Sequence, residues 1–526
     1  MKNFMNQGPC SLVMAVLFLS FTFTACTKTS QVLPEQVNEN LVNSKGSAKV
    51  SAVNYYVSPT GNDLSAGTLA APYKSIQKGL NVAVAGSTVY VRGGTYNERL
   101  SWTNSGSVGS PIVLSNYNGE IVNLDGASAS AQDAMILVNS KSYLTIVGLS
   151  IRNNYRAQAK GIHILGSGTS ISIGSCKIYN IGWTTSKTTI PSGTDQANPL
   201  VIVGSTSDSY NNIYIGSTEI YDCVTGYSEC LTLNGNVDNF TIEANNIHDN
   251  TNIGIDVAGH YAWTGAPAAV NQTRNGVIKN NTVTNCVSLV ATSAGIYSDG
   301  ATNVIIERNK LSGNGCGISL GCENASKTSS GITVRNNFIF NNRKPGIFIG
   351  ANASGSKVIN SSVNNNTFYK NYADGGYGAE IQYQNSDQIT LKNNIIHSRS
   401  NVVVVAGSGY TATNLTMNYN MYYTLSGSSG TITFDGINGA GYYSLANFIA
   451  GTGKDANSNY FDPLFVNGSL PSPDLHLSST SPAINSGDPG FATAAGEVDI
   501  DAGTRLLNGR VEKGADEVSS TRAPTL

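Results

Sequence analysis

The chain has 526 residues, with 31 Lys and Arg against 33 Asp and Glu and a formal net charge of −2. Such length means several domains or a repeat array, and the near balance of charge argues against nucleic acid or an anionic membrane surface as a partner. Only 12% of residues are charged and 56 are Gly, which excludes a helical bundle and suits short strands joined by tight turns.

The first element is an export signal. Lys2 supplies a thin positive start, and Leu12 to Phe23 is an almost unbroken apolar run, too short to span a bilayer. It ends in Phe23-Thr24-Ala25-Cys26, similar to a bacterial lipoprotein cleavage site, which would make Cys26 a lipidated N-terminus. Plain cleavage near Ala25 is the alternative. Residues 1–26 are therefore expected to be signal and 27–53 a polar tether. The protein is expected to be exported, as an outer-membrane or surface lipoprotein or else periplasmic or secreted, touching membrane only through that anchor. Residues 54–517 read as one domain, with 54–100 as its N-terminal cap, 455–517 as its closing segment and 518–526 as a tail.

Inside that domain a phrase of the form apolar-x-apolar-x-x-Asn-x-apolar recurs, as in Phe240 to Ile247, Gly276 to Val283, Val304 to Leu311, Ile332 to Ile339 and Ile389 to Ile396. The corner Asn is read at 246, 281, 309, 337, 366 and 394, spaced 35, 28, 28, 29 and 28 residues. A steady period of this size is one coil of a solenoid. The long first interval contains an extra segment, Tyr261 to Thr273, read as an inserted loop. Each phrase is followed by a turn and a second apolar stretch opening on Gly, such as Gly254-Ile-Asp-Val257 and Gly295-Ile-Tyr-Ser298. The pattern predicts about three short strands per coil, pairing in parallel with the next coil at about 4.8 Å. Asn suits the corner because it tolerates left-handed backbone and its amide can bond the Asn above and below. The expected fold is an all-β, right-handed parallel β-helix with a short N-terminal capping helix over Ser75 to Ala85.

These features resemble the right-handed parallel β-helix of the pectate-lyase-like superfamily. Its N-terminal opening is matched by Tyr55 to Asp63, Ala71 to Gln77 and Gly93-Gly-Thr-Tyr96, and its closing segment by Asp462-Pro-Leu-Phe465, Ser481-Pro-Ala-Ile484 and Gly514-Ala-Asp-Glu517. The resemblance implies the fold and a role with carbohydrate; activity has to be sought in a site.

Ionisable groups are densest between residues 226 and 323. Aligning the Gly-opened strands puts Asp256 level with Tyr297, Ser319 and Phe348, facing outward. Asp249 lies in the turn leading into that strand. Paired carboxylates in a groove beside an aromatic are the apparatus of glycoside hydrolysis. His248-Asp-Asn-Thr-Asn-Ile-Gly-Ile-Asp256 locally resembles the active-site coil of lacto-N-biosidase-type β-helical glycosidases. That likeness implies Asp249 as acid/base and Asp256 as nucleophile of a retaining hydrolase acting on a poly- or oligosaccharide. Trp263, in the inserted loop, could stack on a sugar face. Glu229, His260, Arg274, Tyr297 and Asp299 are the expected groove lining, with Glu323 in its wall. Arg274 is read as a binder of substrate carboxylate or as a partner of Asp256. The bland alternatives are a turn-capping Asp249 and a solvated Asp256.

A polysaccharide lyase is the rival enzyme. It needs a basic residue and usually Ca²⁺ held by carboxylates; Lys327, Arg335, Arg343 and Lys344 are the candidate bases. The hydrolase requires no cofactor or metal. A surface glycan-binding solenoid without activity is the third reading. Of the eight Cys, the six beyond the signal region, Cys176, Cys223, Cys230, Cys286, Cys316 and Cys322, read as buried stacked thiols. Disulfides Cys223–Cys230 or Cys316–Cys322 are the alternative.

Overall fold

The structure, a computed structural model, describes residues 53–127, 133–351, 353–406, 414–437 and 439–518. The signal, Cys26 and the tether lie outside the described residues. Strands short and rich in Val, Ile and Thr cannot bury an apolar face singly, so successive coils stack. Three sheets result, of 14, 13 and 13 strands, parallel except for the last strand of the third, Ala440–Tyr442, which returns antiparallel. Sheet one begins with Asn54–Val57, sheet two with Gly94–Tyr96 and sheet three with Leu100–Ser101. Each coil passes from sheet one to two to three. The helix Ile76–Val82 covers the first coil, N-capped by the Ser75 hydroxyl, which accepts the Lys78 N–H.

The core is a set of aliphatic stacks. On sheet one Ile242, Ile278, Ile306 and Val334 lie in register, and on sheet three Leu231, Ile255, Ile296, Ile318 and Ile347 do so. All of them are fully buried.

At the corner between sheets one and two, the asparagines stack as a ladder of amides. Asn309 Nδ2 donates to Asn337 Oδ1 at 3.0 Å and to the Ile278 carbonyl at 3.0 Å. Asn309 Oδ1 accepts the backbone and side-chain N–H groups of Asn281 at 2.9 and 3.0 Å. The ladder runs from Asn245 to Asn420 and is closed by Asp455, which accepts Asn420 Nδ2 at 3.0 Å. Two expectations are corrected here. Asn245, not the exposed Asn246, is the stacked residue, so the first interval is 36. The two jobs assigned to one corner Asn also fall to two residues. Asn280, Arg308, Asn336, Asn365 and Asn393 take the left-handed backbone, and the next residue makes the bonds. Backbone that turns left-handed points its side chain out of the coil, and the next one points in.

A second ladder, unrecognised in the sequence, lines the corner between sheets two and three. Asn314, Asn342 and Asn371 form it, and Glu380 closes it by accepting Asn371 N–H and Nδ2 at 2.9 and 2.6 Å. Cys223 and Cys286 replace Asn at its start, where their N–H groups donate to Asn250 and Asn314. All six described cysteines are buried free thiols, so neither alternative disulfide forms.

The closing segment packs against the outer face of sheet two and the adjoining strand ends of sheet one. Tyr369 donates to the Gly468 carbonyl at 2.6 Å, Lys392 pairs with Asp488 at 3.0 Å, and Arg335 joins Glu307 at 2.7 Å to Glu497 at 3.1 Å. Arg335 is therefore a clamp, not the base proposed for a lyase. Arg335→Ala is expected to cost about 2 kcal/mol by taking from two largely buried carboxylates the cation they share. Urea unfolding together with limited proteolysis of the closing segment checks it.

Candidate active site

Strand Ile255–Ala258 of sheet three sets the geometry. Ile255 and Val257 point into the core, so Asp256 points out. Its register neighbours are Thr232 in the coil before and Tyr297 in the coil after, followed by Ser319 and Phe348. This is the alignment read from the Gly-opened strands. The inserted segment follows: Ala262–Thr264 forms a single 3-10 turn, and the chain re-enters sheet one at Arg274. The Tyr261 carbonyl is pinned by Thr264 Oγ1 at 2.9 Å and Asn271 Nδ2 at 2.8 Å. The insert also returns to sheet three through Gln272 Nε2, 2.7 Å from the Gly300 carbonyl.

Four carboxyl groups gather under this insert. Glu229 accepts the Thr232 hydroxyl at 3.2 Å. Asp299 Oδ2 accepts the Tyr261 hydroxyl at 2.5 Å, and Asp299 Oδ1 accepts the Glu323 N–H at 2.9 Å. Glu323 accepts Tyr261 at 3.2 Å and Tyr297 at 3.3 Å. Asp256 is 5% exposed, and its Oδ1 has no hydrogen-bond partner among the described residues. Trp263 stands 64% exposed at the rim, its ring 6.3 Å from that of Tyr261.

Electrostatics follow from this crowding. Burial, then the charges of Glu229, Asp299 and Glu323, hold the Asp256 carboxyl well above the carboxylate range. Burial likewise raises Glu229 and Asp299 to about 7 each, and the negative charges of their neighbours add to it. Like charges packed together cannot all ionise, so the cluster holds protonated and ionised carboxyls side by side near neutrality. A raised acid binds its proton longer in the folded state. Its stabilisation is whole below pH 4.5, the unfolded value of Glu229, and is lost as pH rises through about 7. Glu229→Gln is therefore expected to raise the melting temperature relative to the parent at pH 8 and to leave it nearly unchanged at pH 4, in a series of thermal scans.

The structure brings together Asp256, Glu229, Asp299, Tyr297, Glu323 and Trp263. It does not bring Asp249 to them. Asp249 takes left-handed backbone beyond strand Asn246–His248 of sheet two. Its carboxylate binds His248 Nδ1 at 2.8 Å and Asn285 Nδ2 at 3.0 Å, and those bonds hold it below the usual range. The expected Asp249–Asp256 pair is replaced by a cluster centred on Asp256. Arg274 is also elsewhere: it pairs with Asp238 at 3.1 Å and bonds Asn236 Oδ1 at 2.9 Å. His260 faces the Thr328 carbonyl at 3.2 Å, and burial lowers its proton affinity. Arg343 and Lys344 share Asp374. Tyr261 escaped the sequence reading as a site residue; its place two positions before Trp263 was the available signal.

A family model described as the Pel9A-like, right handed beta helix region matches residues 55–401. The chain belongs to that family. Uncharacterized protein YwoF of Bacillus subtilis is 30% identical over 480 residues, covering 88% of this chain and 98% of that one. Pectate lyase PEL9 of Emericella nidulans is 49% identical over 79 residues, 15% of this chain and 19% of that one. Among solved structures, GH136 lacto-N-biosidase from Eubacterium ramulus shares 12% identity at a TM-score of 0.42, covering 78% of this chain and 66% of that one. In this Pel9A-like chain the outward position of the strand after Asp256 is Tyr297, and the one before is Thr232.

Proposed function

We propose that this Pel9A-like β-helix is an exported enzyme that hydrolyses glycosidic bonds of a poly- or oligosaccharide, anchored through Cys26. The observation that carries the reading is the buried cluster of four carboxyls on an outward strand face beneath an aromatic insert. Asp256, kept protonated by burial, supplies the proton to the glycosidic oxygen. Glu229 is the ionisable partner. It touches Thr232, the register neighbour of Asp256, and so stands beside it, and we assign the two as a pair at the shorter of the separations that glycosidases use. Pairs about 5–5.5 Å apart act with retention, the partner attacking the anomeric carbon. Tyr261 and Tyr297 orient Asp299 and Glu323 as acceptors for sugar hydroxyls, and Trp263 offers a face for a ring.

The lyase alternative asks for a basic residue at the reacting carbon. Uncharged residues occupy the positions in register with Asp256, and carboxylates engage Arg274, Arg335, Arg343 and Lys344. Lys327, in the turn after Glu323, is the remaining candidate. The test is a panel of neutral and uronate glycans scored for new reducing ends and for ultraviolet absorbance of unsaturated uronate. Reducing ends without absorbance are expected. Absorbance that disappears with a chelator would sink the hydrolase and move the chemistry to Lys327 and calcium. Retardation in glycan-containing gels with no product would favour a binding protein.

A further inference from the structure

Beyond Asp256 the outer face of sheet three changes character. The outward positions run Tyr297, Ser319, Phe348, Gln382 and Val405 in unbroken register, and the next charged one is Asp435. The neighbouring row is cut down to glycine at Gly321, in register with Asp299, where a Cβ would stand 2.5 Å from the Tyr297 hydroxyl. The outer faces of the other sheets are laced with ion pairs, such as Lys279–Glu243 at 2.9 Å and Lys177–Glu219 at 2.8 Å. An uncharged outward row also runs along sheet one, through Thr241, Val277, Ile305, Thr333 and Ser362, but the sheet-three strip is the one that leads out of the carboxyl cluster. Phe348 is its one aromatic beyond Tyr297, partly exposed, and about 14 Å from Asp256 at three coil spacings.

We propose that this strip is the binding track for an uncharged glycan chain lying along the solenoid axis, with Phe348 as the stacking platform of a distal subsite. The inference rests on the hydrolase reading of Asp256 and adds the substrate class and a second binding locus. A uronate polymer on the same path would meet four carboxyls at one end and no Lys or Arg among the track residues. A neutral chain meets hydroxyl and amide groups suited to sugar hydroxyls and one ring suited to an apolar sugar face.

The experiment is affinity electrophoresis of full-length Asp256→Asn, which binds without consuming the glycan. Gels contain xylan, mixed-linkage β-glucan or galactomannan as neutral probes, or polygalacturonate or alginate, all with a chelator. Retardation by a neutral polymer alone is expected. Phe348→Ala in the same background should bind that polymer about tenfold more weakly, the size of one good stacking contact. Phe348→Trp should restore it. Melting curves establish that each variant is folded, and Phe348→Leu replaces Phe348→Ala where that variant unfolds. Retardation by a uronate polymer, or full binding by the folded variant lacking the ring, overturns the track while leaving hydrolysis to the product assay. Retardation by none of the five overturns both readings.

Discussion

Asp256→Asn is expected to lower glycan hydrolysis roughly a thousandfold, the middle of the range for losing a positioned proton donor. The substitution keeps the shape of the side chain and removes only its proton chemistry. Asp249→Asn is expected to leave turnover nearly unchanged, because its carboxylate is committed to His248 and Asn285. Initial rates of both variants on the glycan cleaved by the parent decide between the cluster and the pair read from sequence. Equal large losses in the two would restore the Asp249–Asp256 pair. A stability readout separates catalytic loss from misfolding. Asp256 is a buried carboxyl facing three others, so the Asn variant should melt at a temperature no lower than the parent at pH 7. A site that gains stability when its acid is replaced by the amide carries strain that function requires.

Asn309→Ala is expected to destabilise the domain by about 4 kcal/mol or more. Asn309 is fully buried and its side chain makes four hydrogen bonds. Its loss strands the Asn281 backbone N–H and takes one partner each from the Asn281 amide, which keeps its bond to the Ile242 carbonyl, and from the Ile278 carbonyl; each unsatisfied buried group costs about 1–3 kcal/mol. Asn246→Ala, two coils down and outside the ladder, should stay within about 0.5 kcal/mol. Equilibrium urea unfolding compares them. The contrast is sharp because a solenoid coil touches only its neighbours, so the damage at Asn309 cannot be spread over a wide core.

The solenoid was legible because its cause is local and repeated. Every coil must turn its apolar stripe inward, so Val, Ile and Leu recur at one spacing, and that spacing is written directly in the chain. The outward aim of Asp256 and its register with Tyr297, Ser319 and Phe348 followed from the same alternation, as did the inserted loop. The Asn245 ladder position was misread by one because Asn245 and Asn246 are adjacent and only the handedness of Ala244 distinguishes them.

What the sequence could not decide was which side chains meet across coils and corners. Asp249 and Asp256 are seven residues apart, yet the turn between them carries the chain from sheet two to sheet three, and their carboxyls find different partners. Glu229, Asp256, Asp299 and Glu323 are spread over nearly a hundred positions and meet because successive coils stack about 4.8 Å apart. Arg274 and Arg335 are drawn to carboxylates that only folding brings near. The period of the backbone is set residue by residue within one coil. The chemistry of the site is set by burial and charge shared between coils, which exist only once the coils have stacked.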